Sequence, residues 1–203
     1  PMHRKNAGAK LPEVSVSQEQ VHEQILLILE QQGLAAAGSL KQQLQALGAL
    51  PDEALSEEIL LRDALEFHGH QISEWREQIE QNAELSQIQK LLMRYTLLEE
   101  HVRRGRFPGC LFIAACSVFP APHHPIHQVA ERQKQASWQY THQHLTALEL
   151  DNPTMVADQL ELVLEGCLSK LLVKRNLQDI ATARRLAEDI LQMALCRQNG
   201  ALS

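Results

Sequence analysis

Apolar residues recur at helical spacing through most of this chain. Between Gln18 and Gln32 they fall three or four residues apart, and Ser17 with Gln20 is typical of a capping box at a helix start. No stretch of the sequence alternates apolar and polar residues convincingly, as a half-buried strand would. Leu, Ala, Gln and Glu dominate throughout. The pattern therefore predicts an all-α protein.

Capping residues, glycines and prolines divide the pattern into nine predicted helices. Gly33 ends the first helix, and Pro125 and Pro153 suit the first turns of the seventh and eighth. The expected helices are 18–32, 39–47, a short one from 51, 57–81, 86–104, a short one around 110–116, 125–148, 153–174 and 178–197. The first three, with a turn at Gly48, fit the outline of a helix-turn-helix.

The segment from Cys110 to Cys116 is a continuous apolar run. Seven apolar residues follow one another there, after the helix breakers Pro108 and Gly109. The run is too short to span a bilayer. Small residues, among them Ala114 and Ala115, lie between its bulky ones, so it predicts a short core helix that other helices cross closely.

Several blocks of sequence around this run follow one another in a specific order. They are Phe107–Ala115, Phe119–Pro120, His124–Ile126, Trp138, Leu164–Cys167 and the last helix up to Arg197. In this order they resemble the ligand-binding half of TetR-family transcriptional regulators, and the YjdC-like branch most of all. The resemblance implies a TetR-like fold with a flexible arm (1–17), a helix-turn-helix-like domain (18–58) and a C-terminal ligand-binding and dimerisation domain (59–203). It also implies a homodimeric, ligand-responsive regulator of repressor type.

The resemblance further implies an effector pocket among the fourth to eighth helices. On the matching positions, the expected lining residues are Phe67, His68, Trp75, Met93, Phe112, Cys116, Phe119, Trp138 and His142. A mostly apolar cavity with a few polar groups suits a small apolar or amphipathic effector, and no cofactor is expected. Alternatively, these side chains simply fill the core. Because only 4% of the chain is aromatic, their concentration here favours a cavity.

The last two predicted helices are apolar on more than one side. We expect one face to pack within the protomer and the other to meet a second copy, in the two-fold four-helix interface that the resemblance implies. The expected interface residues are Val156, Leu160, Val163, Leu164, Leu168, Leu171, Ile180, Ala183, Ala187, Ile190 and Ala194.

Charge is unfavourable for DNA binding in the N-terminal part. The chain carries a net charge of −6, which argues against a general polyanion binder. Between residues 18 and 60, Lys41 is the single cation, and the acids are Glu19, Glu23, Glu30, Asp52, Glu53, Glu57 and Glu58. After Gly48 the segment also lacks the aromatic pair and the lysine of the family's recognition helix. The candidate DNA contacts that remain are Arg4, Lys5, Lys10, Lys41, Gln42, Gln43 and Gln45.

Three interpretations of this part stay open. In the first, the chain is a repressor whose operator-binding half has become degenerate, so that duplex DNA binds no better than non-specifically. In the second, a TetR-fold protein acts through a protein partner or by effector binding alone, without DNA. In the third, the basic arm and the three glutamines suffice to bind a real operator.

Other chemistry has weaker support in the sequence. The cysteines Cys110, Cys116, Cys167 and Cys196 form no CxxC pair and are expected to be buried reduced thiols, with redox sensing at Cys110 or Cys116 left open. His123, His124 and His127 resemble a metal-binding cluster, but a proline-rich loop explains them better, and no metal is expected. No catalytic arrangement or phosphate loop is present, which argues against an enzyme. Without a signal peptide or membrane-length run, we expect a cytoplasmic protein.

Overall fold

The computed structural model describes residues 17–49, 54–106 and 110–198 of the 203-residue chain. Within these ranges it is built of helices and contains no strand, so the all-α prediction is confirmed. The α-helices are α1 (Gln18–Gln32), α2 (Leu40–Ala46), α3 (Glu57–Gln81), α4 (Gln87–Arg103), α5 (Cys110–Val118), α6 (Pro125–Ala147), α7 (Pro153–Val173) and α8 (Leu177–Gln198). Among the described helices, none combines the length and the apolar character that a membrane span requires.

Most helix ends lie where the capping residues predict them. Ser17 and Gln20 form the expected capping box of α1, since each side chain binds the other's backbone N–H. Ser86 caps α4 in the same way, and Pro125 and Pro153 occupy the first turns of α6 and α7. These local signals therefore fix where α1, α4, α6 and α7 begin.

The segment between α1 and α3 differs from the prediction. Leu34–Ser39 forms a 3₁₀ helix before α2, after Gly33 has turned the chain with a φ of 78°. The predicted third helix begins in residues 50–53, which lie outside the described ranges. Of the rest of it, Ala54 and Leu55 form a turn and a bend, and Glu57 already belongs to α3.

Two apolar cores share the long helices α3 and α6. The N-terminal core contains α1, the 3₁₀ helix, α2, the first half of α3, α5 and the start of α6. The C-terminal core contains α4, the second half of α6, α7 and α8, together with Ile79 at the end of α3. The N-terminal core thus contains residues from both sides of residue 58, since α3 and α5 pack with α1. A domain boundary near residue 58 stays a prediction.

A buried polar network joins α4, α6 and α7 in the C-terminal core. Arg94 forms a salt bridge with Glu161 at 3.2 Å, and each side chain is 12% exposed. Arg94 also donates to Ser137 at 3.2 Å and to Thr141 at 2.7 Å, and both hydroxyls donate to Glu161. The two charges neutralise each other and are hydrogen-bonded at the same time, which is the condition under which a buried pair is tolerated.

Removing Arg94 should destabilise the protein strongly. Arg94→Met would leave Glu161 unpaired in a low-dielectric site, so we expect the free energy of unfolding in urea to fall by about 3–5 kcal/mol. Arg94→Met/Glu161→Leu should recover part of that loss, because no buried charge remains. The control Arg103→Met breaks an exposed pair with Glu99 and should cost less than about 1 kcal/mol. Equal losses in the two single variants would contradict the proposed role of the network.

Candidate effector cavity and DNA-facing helices

A cavity of about 100 Å³, partly open to solvent, lies where the two cores meet. Helices α3, α4, α5, α6 and α7 form its walls. The apolar and aromatic lining residues are Ile72, Trp75, Ile79, Leu97, Leu98, His101, Phe112, Leu164 and Leu168, and the polar ones are Arg76, Arg94, Gln133, Lys134, Ser137 and Glu165. The cavity is lined mostly by apolar side chains and by a few polar or charged groups, as is usual for small-molecule binding sites.

Two of the nine predicted pocket residues, Trp75 and Phe112, line this cavity. His68 lies beside it rather than in its wall. Its ring stacks on Phe112 with the centroids 5.4 Å apart, and its residue is 2% exposed. Burial lowers the pKa of His68 to about 4, so its imidazole is neutral at pH 7.

The other six predicted residues lie elsewhere. Phe67, Cys116 and Phe119 pack against the N-terminal core, and Met93 packs against the C-terminal core. Trp138 and His142 stack on each other at 4.6 Å, and the Trp138 indole donates to Asp158 of α7 at 2.7 Å. Aromatic content alone therefore does not mark the cavity wall.

Arg76 is a cavity residue that the sequence reasoning missed. It lies four residues after Ile72 and three before Ile79, and this inward-facing spacing on α3 is the signal that was available. Arg94 is paired with Glu161, and Lys134 lies 2.8 Å from Glu165. Among the described residues, Arg76 has no carboxylate within 4.0 Å. Burial, and then repulsion from Arg94, lowers the pKa of Arg76 to about 10.

Gly69 explains how α6 approaches α3 at the cavity. A Cβ on Gly69 would clash with the amide end of the Gln133 side chain, so a larger residue there would displace this amide. Gln133 lines the cavity, and its Oε1 is buried without a hydrogen-bond partner among the described residues. The glycine weakens α3 locally, but it lets the Gln133 amide lie against α3 at the cavity wall.

Helix α2 carries the polar residues expected to face DNA. Gln42 and Gln45 are exposed, and Lys41 is half-buried. Gln43 is engaged between helices, because its amide and that of Gln32 exchange hydrogen bonds of 2.8 and 2.9 Å. The predicted contacts Arg4, Lys5 and Lys10 lie outside the described residues.

Arg106, just after α4, binds two of the acids of the N-terminal part. It donates to Glu30 at 2.5 Å and lies 3.5 Å from Glu23, and the side chain of Glu30 is 1% exposed. Arg175, between α7 and α8, donates to the backbone carbonyl of Glu30 at 2.8 Å. The last turn of α1 is therefore held by cations from two distant parts of the chain.

Two more acids of this part also have partners inside the protein. The Glu57 carboxylate accepts the backbone N–H of Lys41 at 3.0 Å, at the start of α2. Glu58 lies 2.8 Å from His124 at the start of α6. Together with Glu23 and Glu30, four of the seven acids thus have contacts within the protein. Glu23 and Glu30 share one cation, Arg106, and Glu58 is 56% exposed. A backbone N–H does not neutralise Glu57, so this part of the protein stays acidic, with one negative charge offset by Arg106.

Most of the predicted interface residues are buried inside the single protomer. The buried ones are Val156, Leu160, Leu164, Leu168, Leu171, Ile180, Ala183 and Ala187, and the half-buried ones are Val163, Ile190 and Ala194. The exposed apolar residues of the two last helices are instead Met155, Leu162, Leu172, Val173, Leu186 and Met193. Met155 and Met193 line one groove of about 350 Å³ between α7 and α8.

The cysteines and histidines considered for other chemistry are held by ordinary contacts. Burial raises the pKa of Cys116, and that of Cys167 to about 11, which disfavours the reactive thiolate. The side chain of Cys110 lies outside the described part. The ring of His124 stacks on that of Phe119, and the ring of His127 donates to the backbone carbonyl of Phe119 at 2.7 Å. Within the described ranges, no group of three or more His, Cys, Asp or Glu residues is arranged to hold a metal ion.

Comparison with known proteins gives two close sequence relatives and a more distant structural one. No protein-family model matches the sequence. The chain is 47% identical over 196 residues to the HTH-type transcriptional regulator YjdC of Escherichia coli (strain K12), covering 93% of this chain and 100% of that protein. The regulator of the same name from Shigella flexneri matches with the same figures. The crystal structure of E. coli NemR in its reduced form superposes with a TM-score of 0.61 at 16% identity, over 84% of this chain and 97% of that chain. At that identity the likeness concerns the fold.

Proposed function

Because the chain belongs to the family of HTH-type transcriptional regulators that includes YjdC, we propose that it is a TetR-like, homodimeric, cytoplasmic repressor whose DNA affinity responds to a small effector. The identity over the whole length of the relatives carries this proposal. The order of sequence blocks around α5 supports the TetR assignment, and a regulatory role rather than catalysis follows from it.

The described N-terminal helices support binding to duplex DNA. Gln42 and Gln45 of α2 are exposed and offer amides, which read base edges in the major groove. The basic residues Arg4, Lys5 and Lys10 precede α1 in the sequence and suit phosphate contacts. Arg106 offsets one of the negative charges of this part, so the repulsion of DNA is slightly weaker than the sequence suggests. These observations favour the DNA-binding repressor over a TetR-fold protein that acts without DNA.

The position of the cavity supports a role for an effector in DNA binding. Phe112 forms part of its wall and belongs to the same core as α1 and α2. Arg106 follows α4, another wall of the cavity, and binds Glu30 of α1. A ligand that shifts α4 or α5 therefore acts on α1 through packed and ion-paired groups, and coupling of this kind is typically about 1–3 kcal/mol.

The exposed stripe of α7 and α8 supports dimerisation with a second copy. Met155, Leu162 and Val173 lie on one side of α7. Gly166, between Leu162 and Val173, is also exposed, and a Cβ there would meet no atom within 4 Å. A glycine on such a stripe lets a second helix approach closely. Leu186 and Met193 continue the apolar surface on α8. A two-fold axis through this surface would pair four helices.

The DNA proposal predicts sequence-selective binding at physiological salt. We expect the protein to bind a duplex from upstream of its own gene with a dissociation constant below the roughly 10⁻⁴–10⁻⁶ M of non-specific complexes at ~0.15 M salt. Fluorescence anisotropy measures this constant, with a scrambled duplex for comparison. Gln42→Ala/Gln45→Ala should reduce the preference by about 1–3 kcal/mol, because base contacts are lost.

The matched control is Gln135→Ala, an exposed glutamine of α6 outside the DNA-facing helices, which should bind DNA as the unchanged protein does. Equal, weak affinity for both duplexes would remove the operator-binding proposal and favour the alternative, action through a protein partner or by effector binding alone.

The dimer proposal predicts that a charge on the exposed stripe prevents association. Leu162 is 73% exposed in the protomer, so Leu162→Arg should leave the protomer folded and yield monomers in light scattering. Val118→Arg introduces the same charge at an exposed apolar residue of α5 and should remain dimeric. A dimer that persists in Leu162→Arg would place the interface elsewhere.

A further inference from the structure

We propose that the cavity binds a small aromatic carboxylate, whose carboxylate group is bound by the guanidinium of Arg76. This inference rests on the proposed effector function and adds the chemical class of the ligand. It follows from the balance of charges in the wall and from the shape and composition of the space.

The charges of the wall leave one cation uncompensated. Arg94 is neutralised by Glu161 and bound by two hydroxyls, and Lys134 is neutralised by Glu165. The carboxylates that follow Arg76 on α3 do not lie within 4.0 Å of its guanidinium: Glu77 accepts from Gln81, and Glu80 lies 3.5 Å from the ring of His144. Arg76 is half-buried and has no carboxylate within 4.0 Å among the described residues, so a ligand that brings one negative charge is stabilised there.

An arginine is the appropriate residue for a carboxylate. The planar guanidinium can donate two parallel hydrogen bonds to the two carboxylate oxygens, which gives orientation as well as affinity. A single compensating charge indicates a monoanion rather than a dianion. Burial lowers the pKa of Arg76 to about 10, so the group still carries its charge at pH 7.

The remaining walls suit an aromatic body of modest size. The rings of Trp75 and His101 contact each other in a tilted arrangement with their centroids 4.4 Å apart, and Phe112 adds a third ring. A cavity of about 150 Å³ lined by apolar side chains binds benzene. This cavity of about 100 Å³ is smaller, but it is partly open to solvent, so part of a one-ring ligand can extend into the opening. One aromatic ring with its charged group therefore matches the space better than a polycyclic ligand does.

Three probes separate the contributions of charge and of the apolar body. Sodium benzoate carries both, benzamide is a neutral molecule of the same shape, and inorganic phosphate carries charge without the ring. With the full-length protein at pH 7, we expect benzoate to raise the melting temperature and to bind in calorimetry. Benzamide should bind at least about tenfold more weakly, and phosphate should produce no comparable shift.

Two variants of Arg76 identify the group that binds the carboxylate. Arg76→Met should reduce benzoate affinity by at least about tenfold while leaving the melting temperature of the unliganded protein unchanged or higher, because an unpaired cation is removed. Arg76→Lys keeps the charge without the planar fork and should bind with intermediate affinity. The control Arg132→Met removes an exposed α6 cation that lies 3.6 Å from Glu66, and it should bind benzoate normally.

Equal binding of benzoate and benzamide, or normal benzoate binding by Arg76→Met, would overturn the proposal. A loss of stability in unliganded Arg76→Met would also overturn it, because Arg76 would then have a structural partner. None of these outcomes depends on DNA. DNA binding by the unliganded dimer is measured separately, so the repressor proposal can stand when the ligand class fails, and the ligand class can stand when DNA binding fails.

Discussion

The salt bridge between Arg94 and Glu161 is the interaction on which the C-terminal part depends. It is buried, it is surrounded by the hydroxyls of Ser137 and Thr141, and it joins α4, α6 and α7 around one side of the cavity. Burying either charge without the other would cost several kcal/mol, so the three helices keep a fixed spacing. Glu161 is paired with Arg94, and among the described residues no carboxylate lies within 4.0 Å of Arg76. The same contact that orders the core thus contributes to the charge of the cavity.

A second ion pair connects this core to the N-terminal helices. Arg106 reaches Glu30 and Glu23 of α1 directly after α4 ends, and Arg175 holds the carbonyl of Glu30 from between α7 and α8. The buried carboxylate of Glu30 makes this junction sensitive to position, since a small displacement of Arg106 would leave a desolvated charge unpaired. Glu23 and Glu30 thereby attach α1 to the rest of the molecule.

Local signals in the sequence predicted the helices well and predicted the site only in part. Caps such as Ser17 and Ser86 act within a few residues, so the helix starts could be derived without tertiary structure. The pair of Arg106 and Glu30 is separated by 76 residues, and the contact of Gly69 with Gln133 crosses between helices, so neither had a local signal. The broad apolar surfaces of α7 and α8 indicated two packed faces. Their periodicity could not decide which face lies inward, because both faces carry leucines.

The central claim is that ligand binding in the cavity changes the affinity of the DNA-facing helices for DNA. The most direct test is the dissociation constant of the protein for the duplex from upstream of its own gene, measured by anisotropy at ~0.15 M salt with and without saturating benzoate. We expect benzoate to change this constant by at least about fivefold, the lower end of typical allosteric coupling. An identical constant in both conditions, with calorimetry showing benzoate bound to the same protein, would contradict the coupling.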